Sequence, residues 1–120
     1  MTWQRSGPRT RIWTKSVRGD LYRLRSDKTA EGHEQRGPRY AVAVQSDAVL
    51  LSTLIVAPTS TSAQPAIFRP EIEMDGVRTR ILVDLMRAVD LSRLGDFAGR
   101  LDGSEVGELD RALRLVLGVL

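Results

Sequence analysis

The sequence predicts a mainly β domain of the α+β class, a small barrel closed by one C-terminal helix. Three observations predict it. Apolar, β-branched runs of strand length recur between turn residues, as in YAVAVQ from Tyr40 and LLSTLIVAP from Leu50. Asp75-Gly76 separates two further runs and is a strong two-residue hairpin signal. After Asp102 the period changes, and Val106, Leu109, Leu113, Val116 and Leu120 fall on one helical stripe. A chain of 120 residues supports one domain with one modest core.

The elements follow in order. Residues 1–17 carry Arg5, Arg9, Arg11 and Lys15, no acid and no periodicity, and read as a basic tail ahead of a domain spanning 18–120. GDLYRLR alternates Tyr22 and Leu24 with Arg23 and Arg25, the pattern of a first strand. A polar loop, residues 26–38, leads to YAVAVQ and then LLSTLIVAP, two runs apolar enough for buried strands. IFRPEIEM sets Phe68, Ile72 and Met74 on one side, and VRTRILV returns after the hairpin with Arg78 and Arg80 facing outward. LMRAVD and FAGRLD are shorter strand candidates around a turn near Ser92–Gly95. Asp102 caps the helix, with Glu105 placed for a capping box.

Composition excludes several classes. With no cysteine there are no disulfides and no thiolate chemistry, and one histidine argues against a His/Cys metal site. No apolar run approaches the roughly 20 residues of a membrane-spanning helix, and no apolar segment follows the basic N-terminus as in a signal peptide. A soluble cytoplasmic protein without cofactor or metal is expected. The net charge of +3 is unevenly spread: residues 1–39 hold 10 Lys and Arg against 4 Asp and Glu, residues 40–120 hold 8 against 11. Most of the basic excess is arginine, whose planar fork suits phosphate and whose face stacks on bases. That distribution points to a nucleic-acid partner.

Polar residues gather at strand edges in three places. They are Glu34 with Arg36 and Arg39, then APTSTS at 57–62, then Asp84 near a strand end. One reaction needs neither metal nor thiol. RNA carries its own nucleophile, the 2′-hydroxyl, beside the phosphodiester. A protein must orient it, accept its proton through a group such as a carboxylate, and stabilise the phosphorane oxygens with an arginine or hydroxyl.

GHEQRGPRYAVAVQSD, LIVAPTSTS and LVDLMRAVD, in that order, resemble three signature motifs of the MazF/PemK family, toxins of toxin–antitoxin pairs. The resemblance runs from about Gly19 to Leu120. It implies an SH3-like β-barrel of the MazF/PemK/CcdB type, a homodimer, and metal-independent cleavage of RNA at short sequences. It also implies a MazE-like antitoxin partner and products ending in a 2′,3′-cyclic phosphate and a 5′-hydroxyl. By position the catalytic arginine is Arg39, the acid of the first loop is Glu34, and the catalytic hydroxyl is Ser60. Thr59 is the alternative hydroxyl, because the Thr-Ser order after Pro58 is reversed here. Arg36, Arg25, Gln35 and Asp84 are the implied substrate contacts.

Two departures from the pattern stand out. Tyr40 replaces a proline and offers a stacking ring, and Leu85 replaces a glutamine. His33 invites an acid–base role through its near-neutral pKa, yet the family commonly has serine there. Arg39 stays protonated, which favours phosphate stabilisation over proton transfer. Two rival readings share the fold: a toxin that binds DNA gyrase and cuts nothing, and a plain RNA-binding barrel.

Overall fold

A computed structural model of the chain describes residues 16–25, 39–48 and 51–119. Among the described residues there are seven strands and one α-helix: β1 (Asp20–Leu24), β2 (Tyr40–Ala43), β3 (Thr53–Ser60), β4 (Glu71–Met74), β5 (Val77–Ile81), β6 (Arg87–Asp90), β7 (Leu94–Arg100) and α1 (Gly103–Leu117). The sheet runs β4-β5-β3-β2-β1-β7, with β6 also paired to β3. It curls into a half-barrel with the helix packed on one side. The expected architecture is present.

β2 and β3 are apolar on both faces because both faces are covered. Val42 and Ala57 enter one core with Ile81, Leu109, Ala112 and Leu113, while Ala41, Ala43, Leu54 and Val56 enter a second with Tyr22 and Val89. Alternation thus sends neighbouring residues of one strand into different cores. Tyr22 and Phe97 meet edge to face there, their ring centres 5.9 Å apart.

The β4–β5 turn is the predicted hairpin: Asp75 and Gly76 both have positive φ, 51° and 79°, as a tight primed turn requires. Arg78 and Arg80 do face away from the core, and both reach Glu71. The β4 strand begins only at Glu71. Phe68 packs on the core from the turn before it, where Arg69 N–H closes onto Ala66 O.

The entry to the barrel is fixed at a fully buried acid. Asp20 accepts from Arg100 Nε at 2.9 Å and from Val17 N–H at 3.0 Å, and Tyr22 donates to Ser16 Oγ. Ser16 and Val17 are therefore bonded to the barrel. Gly19, at φ 99°, lets its N–H reach Ala43 O and its carbonyl accept from Leu101 N–H, and a Cβ there would stand 3.0 Å from Val106.

LMRAVD divides. Its first residue, Leu85, closes a 3-10 turn, Val83–Leu85, that holds Asp84 just past the end of β5, and only Arg87–Asp90 is extended as β6. The helix start is as expected, Asp102 and Glu105 exchanging both capping-box hydrogen bonds, and Gly118 ends it in the left-handed conformation. Its buried stripe is Leu109, Ala112 and Leu113. Val116, expected inside, is exposed with Leu115 and Leu117, because the last turn lies beyond the residues that pack on the sheet.

Candidate active site

Of the residues singled out above, Arg39, Ser60, Thr59, Arg25 and Asp84 are described, while His33, Glu34, Gln35 and Arg36 lie outside the described residues. The site is built on the adjoining ends of β2 and β3.

Strand register decides which side chains share a face. Ala41 pairs with Pro58 and Val42 with Ala57, so two places further along Arg39 stands opposite Ser60. A hydrogen bond from Leu24 N–H to Arg39 O, 2.9 Å, holds that residue in line with the sheet. Side chains alternate along a strand, so Arg39 and Ser60 share one face and Thr59 belongs to the other. Thr59 spends its hydroxyl on the strand pair itself, donating to Tyr40 O at 3.0 Å.

On its other side Ser60 pairs with Arg80 of β5. The Arg80 guanidinium is drawn to Glu71 at 3.0 Å and points Nη1 at Arg69 O. Ser60 Oγ accepts from Ser62 N–H at 3.1 Å. Accepting there polarises the hydroxyl and improves it as a donor. A hydroxyl and a permanently charged guanidinium on one sheet face are a pair of donors suited to oxygens that gain negative charge during reaction.

The remaining described candidates are partly committed. Arg25 donates Nε to Leu94 O, and its backbone N–H goes to Arg93 O, both at 3.1 Å, which ties the end of β1 to the start of β7. Arg23 covers the Tyr40 ring at 5.6 Å, a cation–π contact between β1 and β2.

Asp84 receives both arms of the Arg69 fork, Nε to Oδ1 at 3.0 Å and Nη2 to Oδ2 at 2.9 Å. Those hydrogen bonds hold its carboxyl below the ordinary carboxylate range. Sequence reasoning missed Arg69, since a lone arginine between Phe68 and Pro70 has no periodicity and its partner is 15 residues away.

The chain matches the family model described as PemK-like, MazF-like toxin of type II toxin–antitoxin system over residues 17–117. Rv3098A of Mycobacterium tuberculosis, provisionally named a toxin, is 42% identical over 104 residues, 86% of this chain and 98% of that one. Endoribonuclease EndoA of Bacillus subtilis is 30% identical over 111 residues, 86% of this chain and 95% of that protein. A solved endoribonuclease in complex with its cognate antitoxin, from a mycobacterial species, superposes with a TM-score of 0.70 at 17% identity, covering 88% of this chain and 97% of that one. At that identity the likeness establishes the fold.

Proposed function

The chain belongs to the PemK-like, MazF-like toxins of type II toxin–antitoxin systems, and from that premise we propose that it is an endoribonuclease cutting single-stranded RNA without a metal ion. The observation that carries the reading is the β2–β3 register, which, carried two residues beyond Ala41–Pro58, sets Arg39 opposite Ser60. The similarity to EndoA, itself named an endoribonuclease, supports it.

The reaction follows from these groups. Glu34 accepts the proton of the 2′-hydroxyl, whose oxygen attacks the adjacent phosphorus in line with the departing 5′-oxygen. Charge builds on the non-bridging oxygens, where Arg39 and Ser60 Oγ donate. The P–O5′ bond breaks, leaving a 2′,3′-cyclic phosphate and, once protonated, a 5′-hydroxyl. Arg36, Arg25, Gln35 and Asp84 belong to the substrate groove, Asp84 by way of its neighbours. The toxin acts in the cytoplasm as a homodimer and is held inactive by a MazE-like antitoxin whose acidic segment competes for the same arginines.

The test is a long single-stranded RNA incubated with purified protein in excess EDTA. Discrete fragments carrying cyclic phosphate ends are expected. Intact RNA that nevertheless binds the protein would assign a plain RNA-binding barrel instead.

A further inference from the structure

We propose that Arg69 is a positioning residue for the Ser60 hydroxyl, and that Asp84 serves the site through Arg69 rather than by touching RNA. The inference rests on the endoribonuclease reading above and says how its hydroxyl is held.

The chain leaves β3 at Ser60 and must re-enter the sheet at Glu71. Residues 61–64 read TSAQ and form no regular element, Pro65 restricting only Gln64 before it. What holds them is a closed circuit of hydrogen bonds. Ser62 N–H donates to Ser60 Oγ at 3.1 Å. Arg69 Nη1 donates to Gln64 O at 3.1 Å, and its other two arms take both oxygens of Asp84. Asp84 sits in the turn that follows Leu82, and Leu82 N–H returns to Pro58 O at 2.8 Å, two residues before Ser60. Arg80, the residue paired with Ser60, reaches Arg69 O.

Arg69 is thus bonded to three segments that adjoin the end of β3: the 61–64 stretch, the Val83–Leu85 turn and β5. A guanidinium with five donors in a fixed plane can do this, and a lysine ammonium cannot reproduce the two-pronged contact. Both Asp84 oxygens accept from Arg69, so the carboxylate is already charge-matched and oriented by the fork. The pair lies at the surface, and its two-pronged geometry rather than burial is what holds it together.

The experiment compares wild type with Arg69→Lys, Asp84→Asn and the double variant on a short oligoribonucleotide. Wild-type cleavage tests the enzyme reading; the variants test this inference. Each single variant should lower kcat about tenfold or more with KM changed less than about threefold, and the double variant should be no worse than the poorer single one. Amide exchange at Thr61, Ser62 and Gln64 should speed up in Arg69→Lys, a readout that stands whether or not the wild type cuts RNA. A raised KM with unchanged kcat in Asp84→Asn, multiplying with Arg69→Lys, would make Asp84 a substrate ligand and overturn the proposal. Unchanged exchange at those three amides would overturn it independently.

Discussion

Thr59 donates its hydroxyl to Tyr40 O across the β2–β3 pair, at 3.0 Å, while the register carried past Ala41–Pro58 turns its neighbour Ser60 to the face of Arg39. The Thr59 hydroxyl is thus committed across the sheet, while that of Ser60 is engaged locally, accepting from Ser62 N–H and lying 3.5 Å from Ser62 Oγ. Ser60→Ala should lower RNA cleavage by about 10² with little effect on unfolding, as when one preorganised donor is lost. Thr59→Val should cost about 1 kcal/mol of stability and leave cleavage within a few-fold. Reversed effects would move the catalytic hydroxyl to Thr59.

Arg39 supplies charge where Ser60 supplies only a dipole. Arg39→Ala should reduce cleavage by at least ~10², and Arg39→Lys should recover part of it, since a point charge lacks the fork that grips two phosphate oxygens. Circular dichroism should be unchanged in both. Wild-type rates in Arg39→Ala would remove this residue from the mechanism.

Much of this was legible in the sequence, for reasons that are local. Asp75-Gly76 announces its turn because few other pairs tolerate two positive φ angles. The Asp102 capping box joins residues three apart, so spacing alone reveals it. The choice between Ser60 and Thr59 was not legible, because it depends on the β2–β3 register, a pairing of distant segments. Arg69 was hidden for the same reason, its meaning lying in Asp84 and Gln64. Val116 misled because apolar spacing continues past the point where the helix meets the sheet.

The buried Asp20–Arg100 pair should dominate stability at the barrel entry. Asp20 is fully buried and Arg100 is one of its bonded partners. Arg100→Leu strips that cation from a buried carboxylate, and a cost of about 3 kcal/mol follows. Urea unfolding measures it. A loss below about 1 kcal/mol would show that the other Asp20 partners suffice.

Residues 1–15 hold Arg5, Arg9, Arg11 and Lys15 with no acid. If they only neutralise phosphates, deleting them should lower RNA affinity and reduce the slope of log K against log salt by about 0.7 for each phosphate left without its cation. The cleavage sequence should stay the same. A changed sequence would mean that this segment reads bases, with Trp3 and Trp13 the first residues to test.

Acid should weaken the fold once carboxyls held low in the folded chain take up protons. The Asp84 carboxyl is held low chiefly by its hydrogen bonds from Arg69, and the Asp102 carboxyl chiefly by the Glu105 backbone N–H. A carboxyl depressed in the folded chain takes up its proton later, as pH falls, than the same carboxyl unfolded. Its stabilisation is complete above the unfolded value, near pH 4, and is lost as pH drops through the folded value. From pH 5 to 8 these two groups should therefore leave the urea midpoint flat, and below about pH 4 they should lower it. In Asp84→Asn the midpoint should start lower at pH 7 and converge on wild type in acid, since wild type then loses the charge that the variant never had. Curves that stay parallel down to about pH 2 would show that the ionised Arg69–Asp84 fork adds nothing to folding.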